Sequence, residues 1–463
     1  MSTKLTLQTL PREIIIHIGK CLEKSDYMNC LRLCKTWNQL LLPRVWKRIT
    51  SQQHILYQTF SGPSGANLRR HAALVQKLGI HHNFLARYTA NYPNLRSLTL
   101  LQSSVPARKG PEYDPIPLIA NCPSLVELKI ACIKWYPPVL FWKTVSGLPQ
   151  LALLEIREVT ITDKQDIEAF WSACLKVQTL NLISVKIPFS VNDKQFTRMK
   201  SLEIAGPAGS GSNPLEELQL IRQCPNLEEL NWKLSDGTKA LRIFAYGLAQ
   251  GLWKELNKLT FGHKFQDEEL GLLLSGMRRI FKLGMESTGF GPNCFQVVRN
   301  HFHTVTLLEL KGCPEVSSAM LQEVMCSAPL LEKIYGDYIN AKDILEGKPW
   351  ACLSLKTFKI CILFHKSEYH LHPAMFDRLA TLKKLEELAV GEAEDRTAIK
   401  THQTLDLRVV SGLEKLKQLR HLKYLDGVFS RQPVDKSDVD WIEKNLPVRE
   451  VYLWCLTPTY KIY

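Results

Sequence analysis

The 463-residue sequence has no apolar run approaching the ~18 residues of a membrane helix, so no helical span is expected. Its opening, MSTKLTLQTL, meets a charge at Lys4 and has no apolar stretch of secretory-signal length. Asn-x-Ser/Thr glycosylation acceptors are absent, and so is any Cys-x-x-Cys pair. The 13 cysteines are odd in number, and several lie in apolar runs, as reduced core thiols do. These absences lead us to expect a cytoplasmic or nuclear protein. Catalytic signatures are also missing: there is no Gly-x-Ser-x-Gly and no His-Glu-x-x-His. The glycine-rich run from Gly206 to Gly211 lacks the Gly-Lys-Ser/Thr ending of a phosphate loop. The pairs His81-His82, His301-x-His303 and His370-x-His372 have no carboxylate or thiol at a metal-site spacing. No enzyme activity, cofactor or metal is expected.

What is present is ordinary in bulk. Hydrophobic content of 45% and charged content of 22% sit near the globular average, so wholesale disorder is not expected. The length suits two or three domains or a repeat array. The formal charge of +14 favours acidic partners; it is read as spread along the chain, with no block of five like charges.

The stretch from Leu10 to Trp46 is helical in pattern and dense in apolar residues. Pro11 suits a first helical turn, and Glu13 faces the positive end of the helix dipole. Ile14, Ile18 and Leu22 share one face at i, i+4, i+8. Ser25 and Asp26 read as the cap of a second helix carrying Leu31, Leu33 and Cys34. Trp37, Leu40 and Leu41 belong to a third, which Pro43 is expected to end. Three helices this short leave apolar surface uncovered. Periodicity leaves two readings open: the patch packs on the next segment of the chain, or it receives another protein. Gly62-Pro63-Ser64-Gly65 then marks a turn inside an otherwise ordered connection.

From Val75 to Val448 one pattern recurs: an apolar residue, two variable residues, Leu, one variable residue, another apolar residue. Fourteen steps of roughly 27 residues fall within the leucine-rich-repeat range. The i+3, i+5 apolar pair fits one side of a short strand. Runs such as SAMLQEVMCSA and KQDIEAFWSAC fit helices between strands. The pattern predicts an α/β solenoid with a parallel sheet on its concave face and helices on its convex face. It is weakest at Val177–Leu182 and Leu419–Tyr424. The aromatic tail VYLWCLTPTYKIY is a candidate cap.

Leu10-Pro11-x-Glu13-Ile14-Ile15-x-x-Ile18, Leu22, Asp26, Cys30, Leu33-Cys34-Lys35-x-Trp37 and Pro43-x-x-Trp46 together resemble an F-box. Leu33 stands where that family often has Val. Residues 307–334, with Cys313, Val316-Ser317 and Leu321, resemble the cysteine-containing class of leucine-rich repeats, often joined to an F-box. The resemblance implies an F-box over 1–49, a connection over 50–74 and a repeat array over 75–463. It implies docking to the Skp-type adaptor of a cullin–RING (SCF) ubiquitin ligase, with Leu10, Pro11, Ile14, Ile18, Leu22, Leu33 and Trp37 as contact or supporting positions. The chain would be a non-catalytic subunit that holds a protein substrate for ubiquitination. The alternative is a non-degradative scaffold.

On the strands, residues at i+2 and i+4 point away from the core. In the later repeats these are Lys258, Lys282, Lys333, Tyr335, Lys359, Lys423 and Tyr452. Cations and aromatics on a rigid face are binding anchors; equally, an exposed strand face must carry polar residues. The mixture of Glu and Lys along these strands argues against nucleic acid, whose binding is phosphate-dominated. Longer inserts at 103–118, 205–214, 362–373, 391–404 and 427–440 are secondary candidates.

Overall fold

The computed structural model describes residues 10–22, 24–49, 65–81, 90–102, 114–132, 136–189, 194–206, 213–233, 237–262, 265–391, 403–427, 434–453 and 461–462. The chain forms two compact units, 1–224 and 225–463, a division the repeat pattern does not announce. The Gly62–Ser64 turn and the centres of four of the five inserts lie outside the described residues. The remaining insert is ordered: strand continues to Phe364, followed by a 3-10 helix over Lys366–Leu371.

The first unit begins with three helices, α1 (Arg12–Cys21), α2 (Lys24–Cys30) and α3 (Lys35–Lys47). Ile15, Trp37 and Leu41 form their core. Leu10, Ile18, Leu22, Tyr27 and Leu31 close round it, half-buried. On α1, Ile15 and Gly19 are buried, Ile18 and Leu22 are half-buried beside them, and Ile14 is exposed. Ser25 and Asp26 lie inside the first turn of α2, which starts at Lys24. Pro43 does not end α3, which runs on to Lys47. The ring of Trp46, 4.6 Å from that of His71, gives the last turn a tertiary partner to offset the cost of the proline.

α3 leads directly into β1 (Arg48–Ile49), which pairs in parallel with β2 (Lys77–His81). β3 (Ser97–Gln102), β4 (Glu127–Cys132), β5 (Leu153–Arg157), β6 (Thr179–Ile183) and β7 (Ser201–Ala205) extend the parallel ladder. Leu78, Leu98, Leu128, Leu154, Leu180 and Leu202 stand opposite one another without a slip. All six are buried, each contributing about 1.5–3 kcal/mol. β6 is as regular as the rest, with Val177, Leu180 and Leu182 all buried, so the repeat at Val177 is not a weak one. Helices Val139–Ser146 and Lys164–Cys174 pack through Trp142 and Phe170, whose rings meet edge to face at 4.9 Å. Asp163 caps the second by accepting from the backbone N–H of Gln165 and Asp166.

The second unit carries β8 (Glu229–Lys233), β9 (Lys258–Gly262), β10 (Lys282–Glu286), β11 (Leu307–Glu309), β12 (Lys333–Asn340), β13 (Thr357–Phe364), β14 (Glu387–Ala389), β15 (Gln403–Thr404), β16 (Tyr424–Gly427), β17 (Glu450–Leu453) and β18 (Lys461–Ile462). β8 to β14, then β16 and β17, form the parallel ladder. β15 joins antiparallel to the end of β13, and β18 joins antiparallel to β17, so the aromatic tail does end in a strand on that edge. The register pairs Leu388 with Leu425 and Leu425 with Val451. The repeat assigned to Leu419 therefore starts at Leu422. Leu419 is buried too, at the end of a 3-10 helix, and the Leu spacing of three misled the alignment.

Candidate interaction surfaces

In the three-helix segment, core and surface divide cleanly. Trp37 is 2% exposed and supports the fold from inside. Ile14 at 46% and Leu33 at 42% stand in solvent, joined by Met28 at 52%. Pro11 is exposed, while Leu10, Ile18 and Leu22 are half-buried against the core. Three large apolar side chains exposed on a segment this small are a feature that marks an interaction site. Met28 escaped the sequence reading because a seven-residue helix shows too little periodicity to identify its outer face.

Charge is concentrated towards the start of the sequence, contrary to the even spread expected. Residues 1–81 hold twelve Lys and Arg against three Asp and Glu, so most of the +14 excess lies in them. Arg12, Lys20, Arg32, Lys35, Lys47 and Arg48 are exposed. No block of five cations occurs, and a scan for blocks misses cations that helical turns distribute over a surface.

In both units the strand residues alternate between buried apolar positions and an open face. In the first unit, Glu155 on that face is buried beside Lys129 at 2.9 Å and Arg157 at 2.6 Å. Burial works against its ionised form, but the two cations outweigh it and hold the carboxyl below its usual range.

Of the seven positions singled out in the second unit, six lie on the open face. Lys258 pairs with Glu229 at 3.3 Å and Lys359 with Glu387 at 2.9 Å. The Lys359 ammonium also stands 5.9 Å from the Tyr335 ring and 5.1 Å from the Tyr424 ring. Tyr424 in turn lies 5.4 Å from Tyr452. Burial raises the Tyr335 hydroxyl above its ordinary range. Lys282 and Lys333 have no ion-pair partner among the described residues.

Lys423 is the exception. It precedes β16 and reaches Glu386, and the register puts Asp426 in the position assigned to it, opposite Ala389 and Tyr452. The three-residue misalignment at Leu419 also hid Tyr424, which the structure adds to the aromatic row.

Seven of the described cysteines are buried as small core side chains: Cys122, Cys174, Cys224, Cys294, Cys313, Cys352 and Cys361. Burial pushes the thiols of Cys122, Cys224, Cys352 and Cys361 up to about 12, far from a nucleophile's range. Cys313 donates to the Met285 carbonyl at 2.6 Å. Among the described residues no three His, Cys, Asp or Glu side chains converge as a metal would need. His372 is fully buried, stacked on Phe364 at 4.0 Å. No helix among the described residues is long and apolar enough to cross a membrane.

Residues 7–52 match the F-box-like family. No curated protein matches the sequence. Among solved structures the chain is similar to an internalin of Listeria monocytogenes, at 14% identity and a TM-score of 0.32, over 82% of this chain and 88% of that one. So remote a likeness adds no weight, and the repeat architecture rests on the ladder itself. An F-box-like helical segment is thus followed by a parallel-sheet array of leucine-rich-repeat type.

Proposed function

We propose that this chain is the substrate-recognition subunit of an SCF-type ubiquitin ligase. The F-box-like helices dock a Skp-type adaptor, and the open face of the repeats holds a protein for ubiquitin transfer by other subunits. Both parts belong to classes that act as interaction modules, and the chain itself carries out no chemistry in this reading. The cytosol or nucleus is its proposed place of action. The observation that carries the proposal is the outward projection of Ile14 and Leu33 from the segment matching the F-box-like family. Leu10, Pro11, Ile18 and Leu22 complete the proposed contact, with Trp37 supporting it from the core.

Co-purification of the full chain with a Skp-type adaptor tests the docking step. Ile14→Asp with Leu33→Asp should abolish capture while the melting temperature stays unchanged. Capture undiminished in that variant rejects the assigned surface. Affinity capture with cullin neddylation blocked, followed by measurement of partner abundance after adaptor depletion, tests delivery. Partners that do not accumulate favour the non-degradative scaffold.

A further inference from the structure

On the open face of the second unit, two lysines that flank one strand have no ion-pair partner among the described residues. Lys282 on β10, Leu307 on β11 and Lys333 on β12 stand side by side in register. All three are half-buried. The neighbouring cations are engaged: Lys258 by Glu229, Lys233 by Glu286 and Lys359 by Glu387. Lys282 and Lys333 have no such partner among the described residues. An apolar residue therefore sits between two uncompensated cations, all on paired strands that cannot easily splay apart.

Resting on the substrate-receptor reading, we propose that this face binds an acidic peptide segment of the substrate in extended form, with two carboxylates flanking one apolar residue. Strands are about 4.8 Å apart, so the two lysines are rooted about 10 Å from one another across Leu307. In an extended peptide, residues i, i+2 and i+4 point to one side, and i to i+4 spans about 13 Å. Lysine side chains are long enough to take up the difference. The pattern that fits is acidic–x–apolar–x–acidic, with the central side chain on Leu307 and one carboxylate at each ammonium. Tyr335, two residues beyond Lys333 on β12, adds an aromatic edge. Glu309, two residues beyond Leu307, is half-buried and carries like charge to the ligand. It confines the peptide to the row holding the lysines.

The test is display selection of random nine-residue peptides on the full chain in complex with its adaptor. Enriched sequences should carry two Asp or Glu four residues apart around an apolar residue. A synthetic peptide from that pool should lose about threefold in affinity with Lys282→Met or Lys333→Met alone. Lys282→Glu with Lys333→Glu should reverse the selected charge to Lys and Arg. Both lysines stand on the open face and neither bonds to the core, so adaptor capture and melting by these variants should match the parent and report folding. The same enriched peptides on parent and charge-reversed chains, or no enrichment over the reversed chain, would overturn the inference. A phosphoserine version binding more than tenfold tighter than the Glu version would overturn the carboxylate assignment. Adaptor capture is read on the same samples. Its loss with peptide binding intact would sink the receptor reading instead.

Discussion

A Cβ added to Gly19 would lie 2.6 Å from Cδ2 of Leu41. Leu41 is fully buried beside Ile15 and Trp37, so that methyl has nowhere to retreat. α1 and α3 are this close because position 19 carries no side chain. Gly19→Ala should cost about 1–3 kcal/mol through overpacking, and Gly19→Val more. Thermal melting of the full chain measures it. The same variants should lose adaptor capture as α1 is pushed away from α3.

Ile14 and Ile15 are adjacent and should behave oppositely. Ile15→Ala empties a core position and should cost about 2–5 kcal/mol. Ile14→Ala removes an exposed side chain and should change stability by no more than about 0.5 kcal/mol. If Ile14 faces the adaptor, its loss weakens capture without a shift in melting. Paired melting and capture measurements separate the two effects.

His372 makes the fold sensitive to acid. Burial lowers its pKa to about 4, and the neighbouring Asp406 carboxylate only partly opposes this. The folded value lies below the unfolded one, so the unfolded chain binds the proton more readily. The stabilisation is complete above the unfolded value of about 6.5 and is lost as pH falls from there towards 4. Over that window the loss reaches about 3 kcal/mol. His372→Phe, which preserves stacking on Phe364, should flatten stability against pH between those limits. Denaturant melts across the window show the slope.

Asp267 caps a helix in the following repeat. Its carboxylate accepts from the backbone N–H of Gly291 at 2.8 Å, Asn293 at 2.7 Å and Cys294 at 2.9 Å. Asp267→Ala would leave these donors unpaired at the start of helix Pro292–Arg299 and should cost about 1–3 kcal/mol. Hydrogen exchange localised to residues 291–299 would reveal the loosened turn, and unchanged protection there would refute the capping role.

The excess of cations in residues 1–81 predicts a kinetic effect on docking. If the adaptor presents an acidic surface, its association rate with this chain should fall as salt rises, while dissociation changes little. Stopped-flow association at two ionic strengths tests this. Arg12→Gln with Lys35→Gln should reduce the salt slope.

The sequence carried the large-scale order because leucine spacing records which side of a strand is buried. That is why the ladder from Leu78 to Leu202 was readable in advance. It failed where spacing was ambiguous. Leu416, Leu419, Leu422 and Leu425 fall three apart and all are buried, so either frame satisfies the pattern. Only the pairing of Leu388 with Leu425 decides between them. On the open face, residue type identified candidates but could not show which were satisfied. Lys359 and Lys333 look alike in sequence, yet only the first has a carboxylate at 2.9 Å. In α1 one helical position, about 100° of rotation, separates exposed Ile14 from buried Ile15.

β1 is only two residues long, yet it continues α3 and is stitched into the sheet, with the Gln76 N–H bonded to the Lys47 carbonyl at 3.0 Å. The helical head is thereby mortised into the first plank of the array rather than tethered to it. It cannot swivel about Lys47 without tearing backbone hydrogen bonds from β2. Whatever grips the head is consequently handed a fixed bearing on the strands that follow, β2 to β7.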